Sequence, residues 1–267
     1  MAMLRIENVT KIFNADLSPQ EVKVALDNVS LTIEDGEFVT IIGGNGSGKS
    51  TLMNIICGVF KPDSGKVFID DEDVTKISED QRAKYLGRVF QDPCVGTATS
   101  MSVLENLELA FTRGDKRKLR WGFREEHKKI ILEKVSNLGL GLENRLEQKI
   151  GLLSGGQRQA ITLLMATVKM PKLLLLDEHT AALDPKTANV VLGLTEKIVQ
   201  ENNLTTLMIT HNMKDAIRYG NRLIMLHDGK IIFDIKGEEK KNLTIESLLK
   251  MFEVSNSDSS LTSDMLF

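Results

Sequence analysis

Hydrophobic and polar residues alternate over short runs in the first ninety residues, and this spacing predicts β-strands. The runs cover residues 4–13, 25–33 and 66–70, and turns rich in Gly, Pro and Asp separate them. A further apolar run, residues 37–42, leads directly into a glycine-rich segment. We expect the first group of strands to form an antiparallel β layer at the N-terminus.

Apolar positions change to helical spacing between about residues 102 and 172. Ile131, Val135 and Leu138 lie at i, i+4 and i+7, and residues 160–167 form a mostly apolar run. Strand and helix candidates then alternate. They cover residues 172–176, 187–200, 204–210 and 244–253.

This order of elements predicts an α/β fold with a mostly parallel core sheet, an antiparallel N-terminal β subdomain and an α-helical insert subdomain. We expect one domain over residues 1–253, with the helical subdomain inserted at about 92–160. Residues 254–267 are rich in Ser and Asp, and we expect them to be disordered.

The composition narrows the classes of function. The apolar fraction of 42% and charged fraction of 27% are ordinary for a globular protein, and a net charge of −3 gives no reason to expect nucleic acid. Cys57 and Cys94 are isolated in the sequence, which fits a reducing compartment. No apolar run approaches the ~18 residues that span a bilayer, and the N-terminus lacks the apolar region of a signal peptide. We therefore expect a cytoplasmic protein that reaches a membrane through a partner.

Residues 43–50 read GGNGSGKS and fit the phosphate-binding pattern G-x-x-x-x-G-K-[ST], in the strand–loop–helix context that the motif requires. Glycines let successive backbone N–H groups face one anion, and the helix N-terminus adds positive partial charge. The lysine reaches the outer phosphates, while the hydroxyl after it binds Mg²⁺. The residues expected at a nucleoside triphosphate are Gly43, Asn45, Gly46, Ser47, Gly48, Lys49, Ser50 and Thr51.

Asp177 and Glu178 follow four leucines that predict a buried strand. An α/β sheet places its ligands at the carboxyl ends of such strands. We expect Asp177 to hold Mg²⁺, usually through water, and Glu178 to polarise the attacking water, since two carboxylates take different roles in different environments. His211 follows the next buried-strand candidate, where it would donate to the γ-phosphate. A His at a strand end is otherwise a structural residue.

Residues 153–157 read LSGGQ and open the helix that continues through residue 167. Ser154 and Gln157 fit a capping box, which stabilises a helix start. A cap alone does not explain Gly155 and Gly156, because each glycine costs up to ~1 kcal/mol relative to alanine. A helix N-terminus with bare amides is a second anion site, and two such ends in one chain suggest two copies that share a nucleotide.

Together these motifs resemble the ATPase subunit of an ATP-binding cassette (ABC) transporter. The motifs, in the family's order over roughly residues 4–235, are GGNGSGKST (43–51), Gln91, LSGGQ (153–157), LLLLDE (173–178), AALD (181–184) and His211. The resemblance implies ATP and Mg²⁺ as cofactors, and a head-to-tail homodimer that encloses two ATP molecules. In it the signature, LSGGQ at residues 153–157, of one protomer binds the nucleotide of the other, with Ser154 and Gly156 on the γ-phosphate.

The resemblance implies further roles, position by position. Phe13 matches the aromatic residue that stacks on adenine, with an ordinary strand aromatic as the alternative. Gln91 matches the residue that touches Mg²⁺ and links the site to the helical insert, so the metal-binding residues are Ser50, Gln91 and Asp177. Asp184 matches the loop at the dimer interface, and Asp184-Pro185 also suits the start of the following helix.

Two positions depart from the family's pattern. Gly44 stands where Pro is common, which loosens the entry to the loop without removing a phosphate donor. His179 stands where Pro is common after the Asp-Glu pair. We do not expect His179 to be catalytic, but it alters the geometry beside Glu178.

A basic stretch at residues 113–129 holds eight Lys or Arg residues against three Asp or Glu residues and contains Trp121. We favour a solvated face of the helical insert. The alternative is a patch that faces anionic headgroups beside a membrane partner.

Several ABC classes do not fit this chain, which has one cassette, no membrane helix and only 61 residues between Gln91 and the signature. We expect an importer subunit, peripheral on the cytoplasmic side of the cell membrane. Its partners would be a polytopic permease in two copies, docked near residues 91–103, and an extracellular substrate-binding protein.

Residues 89–107 and 177–187 resemble ATPases of branched-chain-amino-acid-type permeases, which indicates an amino acid or similar small solute. The alternatives are a soluble assembly ATPase, such as that of iron–sulfur scaffold machinery, and a single-cassette exporter subunit.

Overall fold

The computed structural model describes residues 2–15, 22–115 and 125–255, with side chains as far as residue 252. The strands are β1 (Ala2–Phe13), β2 (Lys23–Glu34), β3 (Phe38–Ile42), β4 (Ser64–Ile69), β5 (Glu72–Asp73), β6 (Leu86–Val89), β7 (Leu173–Asp177), β8 (Thr205–Ile209), β9 (Arg222–His227) and β10 (Lys230–Lys236). The α-helices are α1 (Lys49–Cys57), α2 (Glu79–Arg82), α3 (Val103–Phe111), α4 (Glu125–Ser136), α5 (Gly155–Thr167), α6 (Pro185–Asn202), α7 (Met213–Arg218), α8 (Glu238–Lys241) and α9 (Ile245–Ser255). Two short 3-10 helices cover Glu143–Arg145 and Ile150–Leu152.

The chain divides into two compact units, and the first contains residues 1–79 and 204–267. Its N-terminal sheet is antiparallel, in the order β2-β1-β4-β5. In the register of this sheet, Ile6 lies opposite both Leu31 and Val67. The antiparallel N-terminal layer that the alternating pattern predicted is therefore present.

The same unit also contains a parallel sheet segment in which β3 lies between β8 and β9, with β10 antiparallel to β9. All five residues of β3 are buried, and so are all five of β8. Ile41 lies opposite Ile209 on one side and Ile224 on the other. Because β3 and β8 are parallel, the glycine loop after β3 and His211 after β8 begin at the same sheet edge.

The second unit covers residues 80–203. Its strands β6 and β7 pair in parallel with Val89 opposite Leu176, so the chain leaves them at one edge, towards Gln91 and Asp177. A separate apolar core joins its helices. The buried residues of this core include Val103, Leu104, Leu107, Ile131, Val135, Leu142, Ile150, Ile161 and Leu164.

The boundaries of the insert, about 92–160, stay a prediction, and most of the tail predicted to be disordered lies outside the described residues. In the described ranges, no helix is both long enough and apolar enough to cross a membrane.

Candidate nucleotide site

The glycine loop after β3 has a backbone that side chains would not tolerate. Gly43 has φ 154° and Gly48 has φ 105°, conformations that favour glycine. A Cβ on Gly43 would lie 2.2 Å from the carbonyl oxygen of Leu226, and one on Gly48 would lie 2.5 Å from that of Ala25. Packing within the first unit therefore fixes this loop conformation.

Lys49 points back into the loop, where its Nζ donates to the carbonyl oxygens of Gly43 at 2.7 Å and Gly44 at 3.0 Å. Gly44, the position where Pro is common, takes part through its carbonyl, which Pro would also supply. The Ser47 hydroxyl is buried without a hydrogen-bond partner, which is unusual for a buried polar group. Ser50 is exposed in the first turn of α1. A buried ammonium and an unsatisfied buried hydroxyl at the start of a helix suit an anion rich in oxygen.

His211 and Phe13 belong to the same unit. The N–H of Thr210 donates to the carbonyl of Ile41 at 3.1 Å, which keeps the end of β8 beside the end of β3, with His211 exposed next in the chain. The ring of Phe13 meets Phe60 edge to face at 5.3 Å. This contact supports the structural alternative for Phe13, and adenine stacking stays a prediction.

In the second unit, Asp177 ends β7 and accepts a hydrogen bond from Arg88 Nη2 at 3.0 Å. Glu178 follows with φ 46°. Among the described non-glycine residues with positive φ, every other one is Asn or Asp, the types that tolerate this region best. Such backbone strain, of the order of 1 kcal/mol, clusters at functional sites. Gln91 is exposed shortly after β6.

His179 is almost completely buried, and its Nε2 lies 3.1 Å from Thr195 Oγ1 in α6. The Thr195 hydroxyl donates to the carbonyl of Val191 at 2.9 Å, so Oγ1 accepts from the imidazole and Nε2 carries the proton. Burial lowers the pKa of His179 from 6.5 to about 4, which keeps the ring neutral. His179, which stands where Pro is common, therefore forms a hydrogen bond from the residue after Glu178 to helix α6.

This burial predicts a pH-dependent stability. Because the pKa of His179 is lower in the folded state, the unfolded chain binds the proton more readily below pH 6.5. The contribution of the neutral ring to the free energy of unfolding is fully present above pH 6.5 and is lost as the pH falls towards 4. This contribution amounts to about 3 kcal/mol. We expect urea unfolding in EDTA to show this loss in the wild type and not in His179→Gln, whose neutral amide also donates to Thr195. If the two proteins lose the same free energy of unfolding between pH 7.5 and pH 5, the prediction is wrong.

The LSGGQ segment begins α5 with the predicted capping box. The N–H of Gln157 donates to Ser154 Oγ at 3.3 Å, and the N–H of Ser154 donates to Gln157 Oε1 at 3.2 Å. Packing within the chain also requires glycine at position 156, because a Cβ there would lie 2.0 Å from Thr187 Cγ2. Gly155 and Ser154 are exposed. Close approach of a ligand is thus not needed to explain Gly156. Ser154 and Gly155 are accessible to a ligand.

Asp184 is the N-cap of α6 and accepts from the Thr187 N–H at 3.1 Å, with Pro185 in the first turn. Two hydrogen bonds from Thr187 lower the pKa of Asp184, and the bond from its side chain has a larger effect than the bond from its backbone. The helix-capping role that the sequence suggested for Asp184 is therefore observed. A role of Asp184 at a dimer interface stays a prediction.

The basic stretch is described only at its ends, and residues 116–124, including Trp121, lie outside the described residues. Arg113 Nη1 donates to the carbonyl of Ala166 at 2.7 Å, and Nη2 donates to that of Lys169. Burial lowers the pKa of Arg113. Arg113 therefore closes the C-terminal end of α5, a structural role.

The predicted site residues therefore form two groups. The phosphate loop, Phe13 and His211 belong to the first unit, whereas Gln91, the signature, Asp177, Glu178 and Asp184 belong to the second. Sequence reasoning missed Arg88 and Thr195, and no motif marks either position.

The family model described as ABC transporter matches residues 26–181. Over 252 residues, 94% of this chain and 99% of the relative, the sequence is 50% identical to a tyrosine transport ATP-binding protein of Clostridioides difficile (strain R20291). This chain belongs to the ABC transporter family. The ABC protein is also 32% identical to the methionine import ATP-binding protein MetN of Haemophilus influenzae (strain 86-028NP), over 96% of this chain and 73% of MetN.

A solved structure shares the fold of this ABC protein. It is the dimeric post-hydrolysis state of the ATP-binding cassette MJ0796 bound to ADP and Pi, with a TM-score of 0.74 and 36% identity over 88% of this chain and 98% of that one. The predicted α/β phosphate-loop fold is confirmed, and the protein is an ATPase of the ATP-binding cassette type.

Proposed function

We propose that this ATPase powers the import of an amino acid through a separate membrane permease, at the cytoplasmic face of the membrane. The observation that carries the proposal is the 50% identity, over 94% of the chain, to a tyrosine transport ATP-binding protein. The methionine import relative supports the same class of solute. Tyrosine is therefore the first substrate to test. A permease of the branched-chain-amino-acid type, which the sequence resemblance indicated, is the alternative pairing.

In the proposed mechanism, two copies of the chain bind ATP head to tail. Lys49 and the loop amides of one copy hold the phosphates, and Ser154 of the other copy closes on the γ-phosphate. Two observations support this arrangement: Ser154 is exposed at a helix N-terminus, and the related cassette MJ0796 has a dimeric structure. Glu178 orients the attacking water, and His211 donates to the γ-phosphate. Positioning and electrostatic stabilisation supply most of the catalysis in phosphoryl transfer.

The proposed residues suit Mg²⁺ as the metal. Ser50, Gln91 and Asp177 offer hydroxyl, amide and carboxylate oxygens, the hard donors that Mg²⁺ takes together with water and substrate phosphates. When bound, the metal would neutralise charge on the phosphates. Gln91, exposed at the end of a strand pair, would carry the change at the site towards the permease.

The deciding experiment isolates the tagged chain from detergent-solubilised native membranes and identifies its partners by mass spectrometry. We expect a polytopic permease in a ratio of two to two. In proteoliposomes made from that complex with its binding protein, tyrosine should stimulate ATP hydrolysis. Stimulation by leucine instead would favour the branched-chain pairing, and recovery of soluble partners only would favour an assembly ATPase. A Glu178→Gln chain is the control, since it should capture the same permease without stimulated hydrolysis.

A further inference from the structure

Arg88 lies in β6 and contacts Asp177, one of the residues expected to bind the metal. Its Nη2 donates to Asp177 Oδ2 at 3.0 Å, and both side chains are mostly buried, with 15% and 17% exposed. Its Nε is buried and has no hydrogen-bond partner. Asp177 therefore provides a hydrogen-bond acceptor and a charge partner for the guanidinium.

The same guanidinium also lies over an aromatic ring. The Cζ of Arg88 is 4.5 Å from the ring centroid of Phe90, within the range of a cation–π contact. Phe90 directly precedes Gln91, and its carbonyl accepts a hydrogen bond at 3.2 Å from Gln159 in the signature helix α5. Arg88 thus connects the end of β7 with the segment at Gln91 and, one contact further, with α5.

We propose that Arg88 is a positioning residue that competes with Mg²⁺ for Asp177. Through Arg88, binding of the metal would change the positions of Phe90 and Gln91. The inference rests on the proposed function, in which Asp177 holds the metal. A carboxylate paired with a guanidinium is a poorer ligand for a dication, because the two cations repel each other. Metal binding therefore weakens the Arg88–Asp177 pair, and the guanidinium, still stacked on Phe90, shifts with that ring.

The first test measures Mg²⁺ dependence without turnover. A fluorescent ATP analogue is titrated with Mg²⁺ on the full chain carrying Glu178→Gln, with and without Arg88→Gln. We expect the half-saturating Mg²⁺ concentration to fall about fivefold when the guanidinium is removed, while binding in EDTA stays the same. Arg145→Gln, an exposed arginine in the same unit, is the matched control and should change nothing.

An unchanged or increased half-saturating Mg²⁺ concentration overturns the competition. If the Glu178→Gln parent itself shows no Mg²⁺-dependent ATP binding, the proposed function fails instead, and the two failures are thereby distinguishable.

The second test measures the connection to Phe90. Hydrogen–deuterium exchange over residues 88–95 is expected to change on addition of Mg²⁺ to the ATP-bound parent, and this response should disappear with Arg88→Gln. Phe90→Leu keeps the ion pair and removes the ring. It should lose the exchange response but keep the parent's Mg²⁺ affinity, so it tests the connection through the ring even if Arg88→Gln does not fold. A response that persists in Phe90→Leu overturns the connection.

Discussion

Replacing Glu178 by Gln is expected to lower ATP hydrolysis at least about 100-fold, because a positioned base contributes 10²- to 10⁴-fold. The substitution keeps the shape of the side chain and removes the negative charge that polarises water. The αL conformation of Glu178 supports its selection, since only Asn and Asp otherwise occupy positive φ among the described non-glycine residues. ATP affinity should change little, because the phosphates are held by the loop around Lys49. Steady-state hydrolysis and equilibrium binding of a fluorescent ATP analogue separate the two effects.

Two variants control this result. Glu201→Gln makes the same charge change at an exposed position in α6 and should keep full activity. Lys49→Ala should instead lose ATP affinity, because it removes the ammonium now held at 2.7 Å from the carbonyl of Gly43. Hydrolysis by Glu178→Gln at the wild-type rate would remove Glu178 from the mechanism.

Ser154→Arg is expected to abolish cooperative hydrolysis while leaving the ATP affinity of the single chain nearly intact. The residue is exposed at the start of α5, where an arginine would obstruct the one nucleotide site that this Ser154 shares with a second copy. The lost cap costs about 1 kcal/mol, which a stable domain tolerates. Ser154→Ala is the matched control, because it loses the same cap without the bulk and should remain far more active. Hydrolysis rates over a range of protein concentrations measure the effect.

Mixing the two inactive variants gives a sharper result. In a head-to-tail dimer, a Glu178→Gln copy paired with a Ser154→Arg copy has both defects at one nucleotide and none at the other. We therefore expect activity to return in the mixture. A mixture as inactive as its components would contradict the shared site.

The sequence was most informative where a local pattern carries the chemistry. The apolar runs before Gly43, Asp177 and His211 predicted strands that end at these residues, and the observed bounds agree within two residues. The Ser154–Gln157 cap depends on neighbours in the chain, and the loop glycines belong to a motif of fixed spacing, so spacing alone was enough to predict both.

The parts that sequence reasoning missed depend on contacts between distant residues. Arg88 and Asp177 are 89 positions apart, and the buried ring of His179, in the turn after β7, has its hydrogen-bond partner Thr195 in helix α6. The strands β9 and β10 were also missed, although their turn at Asp228-Gly229, with φ of 44° and 73°, is a strong hairpin signal. The conformation of Glu178 has no sequence signal, since Glu rarely adopts it.

The close approach of Gly156 to Thr187 has a genetic consequence. Any side chain at position 156 meets a methyl group at 2.0 Å, so a defect caused there arises partly from helix packing and not only from nucleotide contact. A suppressor screen that starts from Gly156→Ala should recover smaller residues at position 187. Across natural variants, the two positions should covary in size, even though one belongs to the signature and the other to a helix with no motif of its own.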